Sequence, residues 1–97
     1  MLLHITGKNL DVTPALKKHT EEKLQRIQLR DPHITSLNIV FHIEHNAHHV
    51  EATAHLAGAD INAHAHADDM YAAVDMVINK LLAQITKHKE KQADRRG

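Results

Sequence analysis

The chain has 97 residues, enough for one hydrophobic core and too few for two. With no cysteine and only Tyr71 and Phe41 as aromatics, a disulfide framework, a thiolate metal site and a cysteine nucleophile are excluded, and the core must be aliphatic and alanine-rich. Twelve basic and twelve acidic side chains cancel formally, yet residues 1–79 hold six basic against ten acidic groups and residues 80–97 six against two, so the cations gather at one end. Local potential, not net charge, decides phosphate binding.

Leu3 and Ile5 alternate with His4 and Thr6 and stop at Gly7, a first strand. The same opening lacks the basic region and apolar run of a secretion signal, and no apolar stretch in the chain is long enough to span a bilayer, so the expected compartment is the cytoplasm. Thr13-Pro14 supplies a cap and a residue preset for the first helical turn. The helix that starts there should run to about Leu29, bury Leu16, Thr20, Leu24 and Ile27, and end at Asp31-Pro32. Leu37, Ile39, Phe41 and Ile43 then give a second strand with its core side on the odd positions. After the turn Glu44-His45-Asn46-Ala47, a third strand puts Val50, Ala52, Ala54 and Leu56 on one side. Ala57-Gly58-Ala59-Asp60 turns the chain again. Ile61, Ala63, Ala65 and Ala67 form the core side of a fourth strand, and Asp68 is the expected cap of the last helix.

That helix carries Met70, Val74, Val77, Ile78, Leu81 and Ile85 at the spacing of a buried stripe. Lys80, Gln84, Lys87 and Lys91 repeat at the same spacing about 60 to 120° around the axis. The element order is β-α-β-β-β-α, an α+β fold. Strands apolar on one side only predict a four-stranded mixed sheet with both helices packed on one face. Residues 1–91 are expected to form a single binding domain and 92–97 a flexible polar tail.

Basic groups on both helices point to RNA. Lys17, Lys23, Arg26 and Arg30 on the first helix, with Lys80, Lys87, Lys89 and Lys91 on the second and Gln84 among them, would converge if the helices lie side by side. Such a surface neutralises phosphates and reads shape more than sequence. The strands lack the aromatic platform that single-stranded RNA binders need. A solvated helix end, with lysines favoured by the macrodipole, is the plainer reading of the tail taken alone.

The segments Ile5-Thr6-Gly7-Lys8-Asn9, Thr13-Pro14-Ala15-Leu16, Asp69-Met70-Tyr71-Ala72-Ala73 and Thr86-Lys87-His88-Lys89 together resemble the ribosome hibernation promoting factor family in its short, single-domain form. The resemblance implies a translation regulator, tied to stress and stationary phase. It would sit in the decoding region of the small ribosomal subunit, against its ribosomal RNA, and keep messenger and transfer RNA out. It also implies pairing of idle ribosomes with help from a separate ribosome modulation factor, no DNA or membrane partner, no cofactor, no enzymatic activity, and a monomer when free. Lys17, Lys23, Arg26, Lys80, Lys87 and Lys89 fall where the family has basic residues facing ribosomal RNA. Two departures stand out: Ala83 where relatives often place arginine, and Gln28-Leu29-Arg30-Asp31-Pro32 in place of a more aromatic loop, so that one contact is lost or moved to Arg30. The alternative is a double-stranded RNA-binding module not tied to ribosomes. Against it stand the extra first strand and Asp68-Asp69, which would repel phosphate.

Eleven histidines remain. His42, His49, His55, His64 and His66 fall on the polar side of successive strands, and His4 can join them. His64-x-His66 with a neighbouring His55 is the nearest approach to a three-nitrogen metal site. A solvent-facing patch is the preferred reading, and protonation near pH 6.5 would make that face cationic. Catalysis has little to work with: Asp68-Asp69 reads as a helix start, there is no glycine-rich phosphate loop, and Ser36 lacks a nucleophile-elbow context.

Overall fold

The computed structural model describes residues 2–30 and 34–94, with the side chains of 29–30 and 91–94 outside the description. Its elements are β1 (Leu2–Gly7), α1 (Pro14–Arg30), β2 (Ile34–Glu44), β3 (Ala47–Leu56), β4 (Ala59–Ala67) and α2 (Met70–Asp94). This is the expected β-α-β-β-β-α order. The strands lie in the spatial order β1-β2-β3-β4, with β1 parallel to β2 and the other pairs antiparallel. The expected end of the first helix at Asp31-Pro32 lies outside the described residues, and α2 continues to Asp94.

β2, β3 and β4 each bury one side, and β1 half-buries Leu3 and Ile5. Leu37, Ile39 and Phe41 of β2, Val50, Ala52 and Ala54 of β3, and Ile61, Ala63 and Ala65 of β4 join the apolar stripes of both helices in one core. Methyl side chains on β3 and β4 let α2 lie close, so Val74, Val77, Leu81 and Ile85 are almost fully buried against them. Thr20 is the buried polar side chain of this core, and its hydroxyl is satisfied by donating to the Leu16 carbonyl at 2.8 Å.

One strand residue departs from its expected place. Ile43 shares the parity of the core residues but is 54% exposed. The β1–β2 ladder ends at the Gly7–Phe41 pair, so Ile43 overhangs the covered part of the sheet.

Local chemistry fixes the ends and turns. Thr13 caps α1, its Oγ1 accepting from the Leu16 amide at 3.2 Å. At α2 the cap is Asp69 and not Asp68. Asp69 Oδ1 accepts from the Ala72 amide at 3.0 Å, and its carbonyl takes the Ala73 amide at 3.1 Å. Between adjacent aspartates, only the one immediately before Met70 can reach those amides. The β2–β3 hairpin turns on His45 and Asn46, both left-handed at φ 51° and 64°, the paired positive values of a two-residue turn that follows the twist of the strands. Gly58, at φ 79°, gives β3–β4 its turn. A methyl group at Gly7 would run into the Leu10 carbonyl, so the chain leaves β1 by a path only glycine permits.

Candidate nucleic-acid interface

The basic residues expected at the site lie on both helices. They divide among three flanks. Helical count, at about 100° per residue, puts Lys23 and Arg26 on the flank of α1 that meets α2, and Lys17 on the opposite flank. Lys17 accordingly lines a shallow cleft with Glu21 and Leu3, His4, Ile5 and Thr6 of β1. On α2, Lys89 shares the flank of Tyr71 and Asp75, which faces α1, whereas Lys80, Gln84 and Lys87 take the flank toward β4. The packed stripe lies between these two α2 flanks on the core side, and the exposed helix surface lies between them on the other. Lys91 and Arg30 fall in α2 and α1, with side chains outside the described residues.

Where the helices meet, His19, Lys23, Tyr71 and Asp75 form a cluster. His19 Nε2 lies 3.0 Å from Asp75 Oδ1 and Lys23 Nζ 3.8 Å from the same oxygen. The His19 ring meets Tyr71 edge-on, with centroids 5.0 Å apart. These are partly exposed pairs, so they fix side-chain positions more than they stabilise the fold; such a pair contributes about 0–1 kcal/mol. Asp75 also offsets part of the positive charge at this seam. Sequence reading passed over this cluster. The available signal was His19 and Lys23 at i, i+4 beside the buried stripe, opposite an aspartate placed likewise on α2.

Lys80 and Gln84 do something the sequence did not show. Lys80 Nζ donates to the His64 carbonyl at 2.9 Å, and Gln84 Nε2 donates to the Asn62 carbonyl at 2.9 Å. Both carbonyls lie on the outer edge of β4, the last strand of the sheet. The two side chains therefore fold back over the sheet margin, with the Lys80 charge held beside it. Lys87 and Arg26 are exposed.

The uncovered face of the sheet is built of rungs. His42 stands opposite His49, and His49 opposite His66, across β2, β3 and β4. The His42 and His49 rings stack at 4.6 Å with planes 9° apart, and His64 and His66 lie 5.2 and 5.3 Å from His49. His49 Nδ1 is 3.1 Å from His64 Nε2. Partial burial holds the His49 pKa below its usual value of 6.5, with His42, His64 and His66 pushing the same way and Glu44 opposing.

His55 is not part of this group. It pairs with Asp60, whereas His64 faces Glu51, four residues along β3 and roughly 13 Å away at strand rise. Both of its nitrogens are engaged: Nδ1 donates to Asp60 Oδ1 at 2.7 Å and Nε2 accepts from Asn38 Nδ2 at 3.2 Å. The combination of His55, His64 and His66 weighed from sequence is thus not assembled, and His42 and Glu44 stand nearer instead. Strand register, which spacing alone does not supply, decides this. His4 is exposed opposite Asn38, away from the group.

The family model described as Sigma 54 modulation protein / S30EA ribosomal protein matches residues 3–93. The ribosome hibernation promoting factor of Azotobacter vinelandii is 43% identical over 95 residues, 98% of this chain and 89% of that protein. That of Escherichia coli K12 is 40% identical over 91 residues, 94% and 96% of the two chains. Among solved structures, a ribosomal subunit interface protein from Coxiella burnetii superposes with a TM-score of 0.89 at 42% identity, over 93% of this chain and 99% of that one. The N-terminal domain of Thermus thermophilus Protein Y shares the fold, with a TM-score of 0.82 at 24% identity over 91% and 99% of the two chains.

Proposed function

The chain belongs to the Sigma 54 modulation protein / S30EA ribosomal protein family, and from that premise we propose that it is a ribosome hibernation factor acting in the cytoplasm on the small ribosomal subunit. The observation that carries the reading is end-to-end similarity to relatives named ribosome hibernation promoting factor, joined to cations exposed on the helical side. The domain docks its helical side against ribosomal RNA in the decoding region and occupies space that messenger and transfer RNA need. Arg26, Lys87 and Lys17 are its principal phosphate contacts, and Lys89 adds to the proposed surface. Lys23 and Lys80 contribute charge from positions already tied to Asp75 and to the β4 edge, and Arg30, Gln84 and Lys91 complete the proposed surface.

Occlusion requires no covalent chemistry and no cofactor. The free protein is a monomer, and pairing of inactive ribosomes is completed by a separate modulation factor on the same ribosome. Because the contacts are phosphates, affinity falls with salt, with a log–log slope of about −0.7 to −0.9 per contact. A duplex-RNA module independent of ribosomes is disfavoured by β1, which extends the sheet beyond the three strands of such modules, and by the carboxylate of Asp69 at the start of α2.

The test is co-sedimentation with vacant ribosomes and with isolated small subunits at low and moderate salt. Stoichiometric association, competed by messenger RNA and lost in the double reversal Arg26→Glu and Lys87→Glu, is the expected result. Both side chains are exposed, so the fold should survive the change. Binding unaltered by the double reversal would remove the proposed contact surface. Binding to plain RNA duplexes without ribosome association would transfer the assignment to the duplex module.

A further inference from the structure

The helical side accounts for the proposed function without using the opposite face of the sheet. There, side chains with metal-ligating chemistry are brought together from three adjacent strands. One nitrogen each from His42 and His49 and one carboxylate oxygen from Glu44 all lie within 4.8 Å of one another. His42 Nε2 is 3.8 Å from Glu44 Oε2. On the other side of His49, His64 Nε2 lies 3.1 Å from His49 Nδ1. Donors held at ~2.0–2.1 Å from a tetrahedral ion are roughly 3.3–3.4 Å apart, close to the His49–His64 spacing; His64 stands outside the group of three whose donors already lie together and would join it by side-chain rotation. His42 and His49 are direct partners in an antiparallel ladder, which sets how far apart their imidazoles can stand.

We propose that the open sheet face binds one divalent transition-metal ion of the zinc class through His42, His49, His64 and Glu44. Three imidazoles and one carboxylate are borderline donors that suit Zn²⁺, and that Ni²⁺ and Cu²⁺ also accept, while hard ions such as Mg²⁺ favour all-oxygen sets. His66, directly opposite His49, stands beside the set as a flanking imidazole. Each ligand is on a strand, so the ligands are positioned by the ladder and not by a loop. The site lies on the reverse of the proposed RNA-contact surface and adds a ligand that this surface does not require.

The proposal is tested on the full chain without an affinity tag, by calorimetric titration with Zn²⁺ at pH 7.5. The expected result is saturable uptake of one ion per chain. Substitution His49→Ala or His64→Ala should weaken it by about tenfold or more, at the scale seen when metal-site groups are removed. Glu44→Gln, nearly isosteric and on an exposed side chain, should weaken binding while leaving the far-ultraviolet dichroism unchanged, and so decides the question even if a histidine variant folds poorly. His55→Ala is the control, because that imidazole is held between Asn38 and Asp60 away from the site. Absence of saturable binding in the unsubstituted protein overturns the proposal. So does an equal loss in His49→Ala and His55→Ala, which would mark a diffuse histidine surface. Ribosome association is read separately, so failure here leaves the proposed function standing and failure there leaves the metal site standing.

Discussion

Phe41 and His42 are consecutive residues of β2, yet one is sealed beneath the helices and the other stacks on His49 in the open. Along β2, β3 and β4 the same division repeats: Ile39, Ala52 and Ala63 toward the core, Val40, Glu51 and His64 away from it. Because successive strand residues point to opposite faces, the two sides can carry unrelated chemistry while sharing one backbone. The covered face supplies cohesion, and the helices over it carry ammonium and guanidinium groups. The open face contributes little to cohesion and carries imidazoles drawn from three strands.

The contrast is broken most severely from the covered side. Phe41→Ala should cost about 3–5 kcal/mol, because it empties a fully buried position in an otherwise aliphatic core. Val40→Ala, one residue away and facing out, should cost under about 1 kcal/mol. Urea denaturation of the two variants measures the difference directly, and equal losses would mean that the open face is packed after all.

A smaller effect is expected where the two sides meet. Lys80→Ala with Gln84→Ala removes two hydrogen bonds from α2 to the β4 edge, and each such bond is worth about 0.5–1.5 kcal/mol, the lower end applying to exposed pairs. The urea midpoint of the double variant should fall accordingly. An unchanged midpoint would show that water replaces both donors without loss.

The smallest expected effect belongs to the open face and depends on pH. With its pKa lowered in the folded chain, chiefly by burial and then by His42, His49 contributes stability that is fully present above the unfolded value of about 6.5. As pH falls below that value the unfolded chain takes up a proton that the sheet resists. Stability is therefore lost progressively as pH drops toward and through the folded value. The melting temperature should decline between pH 7.5 and 5.5, and His49→Gln should make the decline shallower. A steeper decline in the variant would reverse the assigned sign.

Much of this architecture can be read from the chain because hydrophobic periodicity is a local signal. The alternation of Leu37, Ile39 and Phe41 and the stripe from Met70 to Ile85 each specify an element and its buried side without reference to any partner. Ile43 defeats that reading because burial at a strand end depends on how far β1 extends, a property of another segment. Asp68 and Asp69 are chemically alike, and only the position of the first helical turn separates them. The basic residues were identifiable individually, but their division among three flanks follows from where α1 and β4 pack around α2. The histidines show the same limit. Their common face follows from parity, whereas the association of His42, His49 and His64, and the exclusion of His55, follow from register across two hairpins.

The side chains of Lys80 and Gln84 also bear on what happens when many copies are crowded together. An uncovered outer strand is a template on which another chain can add a strand of its own. At β4 the Asn62 and His64 carbonyls are already engaged from within by α2. A strand adding to that margin would have to compete with two side chains of one helix for those carbonyls.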